Sequence, residues 1–327
     1  ERERERERMV SDVSKILIFG GSGYIGKCMV KASVMMGNPT YVYGRQVTPS
    51  TNPSNSKMEL HKEFQSMGVT IIQGELDEHE KLVSVIKQVD IVISALGIPQ
   101  VPEQLKIIEA MKIAGNIKRF IPSDFGCEED KIIALPPFQA CLDEKNKIRR
   151  ATEAAGIPYT YVSSTCFAEY FFNVLFRPHE QPEELTIYGS GKANAVFTSE
   201  KDVAAYTIKV ANDPRTCNRT VFFRPPQNII SQLDLISLWE KKTGRNHKKV
   251  HVSEEEIVKL SELSEHPDNI RASILYSIFV KGDMTNFELG EDDIEVSELY
   301  PDFKYTPIEQ LLDSFVANPP MFEYAAF

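Results

Sequence analysis

The feature that most constrains this chain is a glycine-rich turn between a short apolar segment and a helix-compatible one. Residues 15–19 are typical of a buried strand, and the apolar stretch 29–35 is typical of a helix. Between them, Gly21, Gly23 and Gly26 fit the spacing G-x-G-x-x-G, which permits a sharp turn, close approach of a diphosphate and tight helix packing. The backbone N–H groups at the helix start would face that anion. The turn therefore predicts dinucleotide binding, with a purely steric strand-end turn as the alternative.

The residue after the second predicted strand favours one dinucleotide over the other. Residues 40–43 are β-branched or aromatic, and Arg45 follows them, about 20 positions past the glycines, where an NAD site keeps a ribose-binding acid. A guanidinium there suits a 2′-phosphate, and Lys57, beyond a polar loop at 46–56, would add a second cation. Lys57 is equally well explained as a solvated loop lysine. The pattern favours NADPH over NADH.

Strands and helices then alternate, which predicts a doubly wound parallel Rossmann-type sheet, an α/β fold, over residues 13–165. Further strands are predicted at 69–72, 90–96, 118–122 and 159–164, and helices at 58–67, 77–88, 102–114 and 138–155. Later elements are mixed, which predicts a smaller C-terminal lobe at 166–327 that mainly binds substrate. Its predicted strands lie within 185–197 and at 221–223, and its predicted helices lie at 202–210, 231–242, 253–263, 269–280 and 307–316. Residues 1–8, four Glu-Arg repeats, are interpreted as a tag-like leader outside the fold.

The carboxyl ends of the predicted strands are the expected ligand-binding edge, because ligands of open parallel sheets bind there. Ser94, Ala95 and Leu96 follow one such strand and would face the adenosine half of the cofactor. Ser123 and Phe125 follow the next strand and would lie nearer the nicotinamide. Taken singly, each segment also fits an ordinary strand-end turn.

Composition excludes several classes of partner. With 327 residues and 42% hydrophobic content the chain can bury a sizeable core. A formal net charge of −10 without a basic stripe argues against nucleic acid or an anionic membrane as a partner. No run of about 18 apolar residues and no signal-peptide pattern occurs, so we expect a cytoplasmic protein. The five cysteines lack metal-binding spacing, which predicts free thiols and no metal.

A hydride-transfer enzyme of this shape often needs a proton donor or acceptor. Two Tyr-x-x-x-Lys strings occur, at 188–192 and 300–304, but glycines in one and a proline in the other argue against helices. Lys145 is the better candidate for a general base, because it lies in a predicted helix with Arg149 four residues on. Judged on pattern alone, this segment is also explained as a charged, solvated helix face.

Together these residues resemble the plant isoflavone reductase-like family, an NmrA-like group of atypical short-chain dehydrogenases/reductases. The resemblance covers essentially residues 13–320, and within the family it is strongest to the eugenol and isoeugenol synthases. It is carried by the glycine turn at 20–26, Arg45, the segment 122–126, Lys145 with Arg149 and Arg150, and the segments 157–162, 166–168, 281–283 and 299–301. The subgroup is indicated by the segments 74–80 and 134–138.

The resemblance implies an activity, a cofactor and a set of site residues. The substrate would be an ester of a para-hydroxyphenylpropenol such as coniferyl acetate, the cofactor NADPH, and Lys145 the catalytic group that takes the phenol proton. Loss of the side-chain carboxylate would leave a quinone methide that accepts hydride, giving eugenol or isoeugenol. The implied NADPH contacts are Gly20, Ser22, Gly23, Tyr24, Ile25, Arg45, Lys57, Ser123, Lys145 and Arg149, with Thr165, Cys166 and Phe167 near the nicotinamide end.

Some alternatives stay open at this point. The chain has Thr165 where the family commonly has Asn, and small aliphatic residues at 97–101 give no indication of allyl or propenyl product. The aromatic residues at 167–176 suit a flat phenolic ligand but also fit plain core at helical spacing. A reductase of another phenylpropanoid, such as an isoflavone or a benzylic ether, or a non-catalytic NADPH-sensing protein, remains the alternative function.

Overall fold

The structure is a computed structural model that describes residues 13–46 and 56–321. The predicted leader at 1–8 and most of the predicted loop at 46–56 lie outside the described residues. The described chain divides into two compact units. The first contains the described residues of Glu1–Ser123, Lys147–Tyr161 and Ala204–Arg219, and the second those of Asp124–Asn146, Val162–Val203 and Thr220–Phe327.

The first unit is built on a five-stranded parallel sheet. Its strands are β1 (Ile16–Phe19), β2 (Thr40–Gly44), β3 (Thr70–Gln73), β4 (Ile91–Ser94) and β5 (Arg119–Ile121), in the order β3-β2-β1-β4-β5. All four pairings are parallel. The residues of β1 and β4 are all buried, as expected for inner strands with both faces covered. The sheet confirms the predicted parallel Rossmann-type fold.

Helices alternate with these strands along the chain. They are α1 (Gly26–Met35), α2 (Ser56–Ser66), α3 (His79–Ile86) and α4 (Gln104–Ala114), the last preceded by a 3-10 turn at Ile98–Glu103. The core of this unit joins side chains of β1 and β4 to those of α3 and α4, including Leu17, Val92, Leu82 and Ile107. Each such fully buried side chain contributes about 1.5–3 kcal/mol to stability.

The predicted sixth strand behaves differently from the other five. It forms β6 (Thr160–Ser163), but it meets β5 only through one parallel bridge, between Phe120 and Tyr159. Instead β6 belongs to a three-stranded sheet with β10 (Arg219–Phe222) and β13 (Asp293–Glu295). Sequence alternation predicted the strand correctly but assigned it to the wrong sheet, because the partner strands lie far along the chain.

The remaining elements follow β5 in chain order. They are α5 (Pro136–Ala154), β6, β7 (Cys166–Phe167), α6 (Ala168–Phe176), β8 (Glu184–Tyr188), β9 (Asn194–Thr198), α7 (Glu200–Asn212), β10, β11 (Ile229–Ser231), α8 (Gln232–Thr243), β12 (Lys248–Val252), α9 (Glu254–Leu263), α10 (Asp268–Leu275), β13, α11 (Val296–Leu299) and α12 (Ile308–Ala317).

The second unit contains short sheets and an aromatic core. β9 lies between β7 and β11, and β8 pairs in parallel with β12. Phe172, Phe176, Trp239 and Phe315 lie in one cluster, in which Phe176 and Trp239 stack with ring centroids 4.4 Å apart. Most of the predicted aromatic stretch is therefore core.

Local sequence explains the start of one helix in this unit, and a second segment departs from prediction. Ser253 caps α9 in a capping box with Glu256, which confirms the helix predicted at 253–263. The single helix predicted at 269–280 is wrong in form, since α10 gives way to a π-helix at Tyr276–Lys281. Such i→i+5 turns need tertiary packing to persist, and no local pattern predicts them.

Candidate active site

The glycine turn follows β1 directly and ends where α1 begins. Gly20 has a left-handed backbone, with φ of 74°, and a Cβ there would lie 2.5 Å from Ala95 O. A Cβ at Gly26 would collide with Gly20 O, so the start of α1 packs against the turn only because Gly26 has no side chain. The first turn of α1 carries no acidic residue. The positive end of the helix dipole at this turn therefore suits an anion such as a diphosphate.

The register of the sheet brings Arg45 to the same edge as the turn. Tyr43 pairs with Phe19, so Arg45 and Gly21 each lie two residues beyond a paired position. Both Arg45 and Lys57 are exposed, and neither forms a salt bridge with another described residue. Two exposed cations suit a dinucleotide that carries an additional phosphate.

Lys57 is connected to the turn through His61. Ser22 Oγ lies 2.7 Å from His61 Nε2. Burial lowers the pKa of His61, and the nearby positive charge of Lys57 lowers it further. Lys57 is therefore close to the group that contacts Ser22, which favours the binding interpretation over that of a distant solvated lysine.

The ends of β4 and β5 meet beside the turn. Ala95 N donates to Phe19 O at 2.9 Å, and Ser123 Oγ donates to Leu96 O at 2.6 Å. Ser123 N is held in turn by Gln104 Oε1 at 2.9 Å. Ser94 is fully buried. The structure thus brings Ser94, Ala95, Leu96 and Ser123 together at the predicted ligand-binding edge.

Arg149 is fully buried in the first unit. Its guanidinium carbon lies 4.5 Å from the centroid of the Tyr161 ring, a cation–π contact. Tyr161 Oη also donates to Arg149 O at 3.0 Å, so the ring and the helix backbone hold each other. Arg149 and Lys145 both lie on α5 but belong to different units. A contact between Arg149 and NADPH stays a prediction.

Lys145 lies in the second unit with its ammonium group almost fully buried. Lys145 Nζ donates to Asp124 O at 2.7 Å and lies 3.1 Å from Glu129 Oε1. The exposed fraction of the Lys145 side chain is 10%, and that of Glu129 is 0%. Lys145 is therefore held in place by buried partners, and the interpretation of a solvated helix face is wrong for this residue.

The segment 124–129 contacts Lys145 through Asp124 and Glu129 and is called the Lys145 loop here. Gly126 connects this loop to Thr165. Gly126 O accepts hydrogen bonds from Thr165 N at 3.0 Å and from Ser163 Oγ at 3.3 Å. A Cβ added at Gly126 would lie 3.9 Å from Lys145 Nζ, so the loop backbone passes close to the amine. Phe125, half-buried, lies on the same short loop. Lys145, Phe125 and Thr165 are thus gathered in one part of the second unit.

Thr165 has an unusual backbone for a β-branched residue. Its φ is 62°, in the left-handed region that Asn and Gly tolerate better. Its hydroxyl donates to Ser164 O at 2.6 Å and lies 3.1 Å from Thr198 Oγ1. Cys166, next in the chain, is fully buried with Sγ 3.4 Å from Met284 Sδ, and burial raises the pKa of its thiol well above the usual range. The Thr165 hydroxyl is therefore committed to the protein interior.

Sequence reasoning did not predict a cluster of three aromatic side chains in this unit. Phe279, in the π-helix, lies between Phe171 and Tyr188, with ring centroids 6.3 and 5.9 Å away. Phe171 and Tyr188 are half-buried, unlike the core residues Phe172 and Phe176. Tyr188 ends a strand, and no helix includes its Tyr-x-x-x-Lys string or the one that begins at Tyr300. Of these three residues, only Phe171 belongs to the aromatic stretch that the sequence suggested as a contact for a flat phenolic ligand.

Within residues 13–46 and 56–321, no three His, Cys, Asp or Glu side chains are grouped to hold a metal ion. In the same ranges no helix is both long and apolar enough to cross a membrane. None of the five cysteines, all of which lie within the described residues, forms a disulfide bond.

The fold and the glycine turn define a Rossmann-type nucleotide-binding protein, and the NmrA-like family model matches residues 12–312. The chain is 56% identical to isoeugenol synthase 1 of Clarkia breweri over 309 residues, which is 94% of this chain and 96% of the relative. It is 48% identical to eugenol synthase 1 of Petunia hybrida, over 94% of this chain and 100% of the relative. It is also 48% identical to phenylcoumaran benzylic ether reductase IRL1 of Ginkgo biloba, over 93% and 99%. The chain belongs to the NmrA-like family.

A solved relative bears on the cofactor. The binary complex of leucoanthocyanidin reductase with NADPH from Vitis vinifera has a TM-score of 0.86 to this chain, with 32% identity, covering 93% of this chain and 100% of that one. The NADPH prediction is therefore confirmed. The relatives are named as synthases and reductases, so the chain is an oxidoreductase, and the alternative of a non-catalytic sensor is not supported.

Proposed function

We propose that this oxidoreductase forms a phenylpropene, eugenol or isoeugenol, from coniferyl acetate or a similar ester by way of a quinone methide. The observation that carries the proposal is Lys145, whose buried Nζ is fixed by Asp124 O and lies beside the loop that holds Phe125. The relatives at 56% and 48% identity include isoeugenol and eugenol synthases, which supports this chemistry.

Lys145 provides the proton acceptor for the first step. Proton transfer from the para-hydroxyl of the substrate to Nζ breaks the phenol O–H bond and forms an N–H bond, which requires Nζ to be a neutral amine or to pass one of its own protons to a neighbouring group. The electrons of the phenolate then expel the side-chain carboxylate, breaking its C–O bond and leaving a quinone methide. NADPH, when bound, supplies the hydride that this electrophile accepts. Because Nζ is fixed, it can hold the phenol end in one position. Because it is buried, the reacting groups beside it would have little contact with water.

The residues proposed to bind NADPH are those that the sequence motifs and the family resemblance indicate. In the first unit they are Gly20, Ser22, Gly23, Tyr24, Ile25, Arg45, Lys57, Ser94, Ala95, Leu96, Ser123 and Arg149. In the second unit they are Phe125, Lys145, Thr165, Cys166 and Phe167, toward the nicotinamide end. Arg45 and Lys57 would bind the 2′-phosphate. We further propose residues 13–165 as the NADPH-binding domain and residues 166–327 as mainly the substrate-binding lobe.

A second candidate is a reductase of a benzylic ether or an isoflavone. It is favoured by the 48% identity to the Ginkgo biloba benzylic ether reductase, which equals the identity to the Petunia eugenol synthase. The higher identity of 56% to the isoeugenol synthase of Clarkia breweri supports the first candidate, and a test of the substrates must decide between the two.

The deciding experiment offers purified protein NADPH with coniferyl acetate, with coniferyl alcohol, and with the para-O-methyl ester analogue. We expect NADPH oxidation and a volatile phenylpropene, identified by mass spectrometry, from the acetate alone. Coniferyl alcohol lacks a good leaving group, and the O-methyl analogue cannot form a phenolate. Equal NADPH oxidation with the O-methyl analogue contradicts the quinone methide route, and turnover of a benzylic ether but not of the acetate favours the second candidate.

A further inference from the structure

The carboxylate of Glu129 is in direct contact with the amine of Lys145. Glu129 Oε1 lies 3.1 Å from Lys145 Nζ, and neither side chain is open to water to any large extent. Asn146 Nδ2, next to Lys145 on α5, donates to Glu129 O at 3.3 Å and holds the Glu129 backbone against the same helix turn. A buried carboxylate is costly without such a partner, so the pair fixes both charges in place.

The donors of the Lys145 ammonium group can be counted. An ammonium has three N–H donors and no acceptor. Asp124 O takes one at 2.7 Å, and Glu129 Oε1 lies 3.1 Å from Nζ as an ion-pair partner that accepts no hydrogen bond from the described residues. Among the described residues, Asp124 and Glu129 are the polar partners of Nζ. Two N–H donors therefore remain, one for a substrate oxygen and one that can turn toward Glu129, and an ammonium cannot gain a proton without giving one up.

We propose that Glu129 is a positioning residue for Lys145 that also stores the proton removed from the substrate phenol. This proposal rests on the proposed function. The phenol O–H bond breaks as an N–H bond forms at Lys145, while another Lys145 N–H bond breaks and an O–H bond forms at Glu129 Oε1. Lys145 is an ammonium before and after, the phenolate takes up the charge that Glu129 loses, and the carboxylate leaving group departs as an anion.

The stored proton also closes the cycle. After the side chain has been reduced, the product is a phenolate, and the same proton returns from Glu129 through Lys145 to the product oxygen. No proton has to enter from or leave to water, because reduction by hydride and loss of a carboxylate anion balance without one. The low solvent exposure of the Lys145 and Glu129 side chains suits this internal proton transfer.

Two cysteine thiols and further carboxylates lie near the Lys145 and Glu129 pair. Burial and the Glu129 carboxylate raise the pKa of Cys127 to about 12, with the Asp283 and Glu128 carboxylates adding to the effect and Lys145 opposing it. Burial also raises the pKa of Cys141. Both thiols therefore stay protonated at neutral pH and do not compete for the proton. Asp283 Oδ1 accepts a hydrogen bond from Asn286 Nδ2 at 3.1 Å. Glu129 is the described carboxylate in contact with Nζ.

The first test is Glu129→Gln, which keeps the shape and one oxygen for Nζ but cannot store a proton. With coniferyl acetate at neutral pH we expect kcat to fall by about 10²–10⁴-fold, the range for general acid–base groups, with little change in KM. A ring-fluorinated ester with a more acidic phenol should recover much of this loss. The control is Asp130→Asn, an exposed neighbour, which should leave kcat unchanged. An equal loss with both esters means a merely structural role and overturns the proposal.

A second test needs no turnover, so it separates this proposal from the proposed function. A nitrophenol probe, whose phenolate is coloured, is titrated into protein with NADP⁺ at a pH where the free probe is protonated. Calorimetry in buffers of different ionisation enthalpy counts the protons released. Wild-type protein should bind the probe as phenolate and release almost none, while Glu129→Gln should release one proton per phenolate bound. Equal proton release by both proteins, or a probe that stays un-ionised on the wild type, overturns the proposal.

Discussion

The glycine turn of the first unit and the Lys145 loop of the second unit are built by opposite means. In the turn, backbone N–H groups and missing side chains shape the site, and its cations, Arg45 and Lys57, are exposed. Around Lys145, the charges are buried and balanced against each other, with Glu129 3.1 Å away. Exposed charges interact with little effect on folding, whereas a buried pair is part of the fold.

The difference predicts how each region responds to mutation. Changes in the turn should act on its shape or on one charge, and their effects on binding should separate from those on stability. Changes at Lys145 should alter chemistry and stability together, because removal of either partner breaks a buried ion pair. The four predictions below test this contrast, from the largest expected effect to the smallest.

Lys145→Ala should lower turnover of coniferyl acetate by about 10²–10⁴-fold, since it removes the proton acceptor. It should also lower the free energy of unfolding by about 3–5 kcal/mol, because the buried ion pair with Glu129 is broken. Turnover is followed by NADPH oxidation and stability by chemical denaturation. The control, Lys145→Met combined with Glu129→Gln, should regain stability but not turnover. Near-normal turnover of Lys145→Ala would remove Lys145 from the mechanism.

Arg45→Asp should weaken NADPH binding by about 1.5–3 kcal/mol and leave NADH binding almost unchanged, because a charged hydrogen bond to the 2′-phosphate becomes a repulsion. Stability should not change, since Arg45 is exposed. Both affinities are measured by fluorescence titration. Lys62→Asp, an exposed cation on α2, is the control for net charge. Equal losses for the two cofactors would reject Arg45 as the phosphate-binding residue.

Gly26→Ala should destabilise the first unit by about 1–3 kcal/mol, because the added Cβ collides with Gly20 O and the start of α1 must shift. NADPH and NADH should lose affinity equally, since the change affects the diphosphate cradle that both would use. Gly44→Ala is the matched control, because a Cβ there meets no atom within 4 Å. A cofactor-selective loss in Gly26→Ala would contradict the division between shape and charge.

The same contrast explains what could be predicted from the sequence. The glycine turn, its flanking strand and helix, and Arg45 lie within about 30 consecutive residues, so spacing rules predict their arrangement. Glu129 lies in an acidic run, Glu128-Glu129-Asp130, that suggests an exposed loop. It is buried in contact with Lys145 of α5, which lies 16 positions later in the chain. The sheet partner of β6 was missed for a similar reason, since β10 and β13 follow from long-range pairing.

Thr165→Asn should have the smallest effect, and it concerns the backbone rather than charge. Thr165 has φ of 62°, a conformation that costs a β-branched residue roughly 1–3 kcal/mol and that Asn adopts more readily.

We therefore expect the free energy of unfolding of Thr165→Asn to rise by about 1 kcal/mol, provided the amide replaces the hydroxyl contacts to Ser164 O and Thr198 Oγ1. Thr165→Ala, which loses those contacts and keeps the strained backbone, should instead be destabilised by about 1–3 kcal/mol. Because the hydroxyl faces the interior, kcat and KM with coniferyl acetate should hardly change in either variant. A large rise in KM would show that Thr165 anchors the substrate, and this part of the second unit would then act through a direct contact as well as through the Lys145 and Glu129 pair.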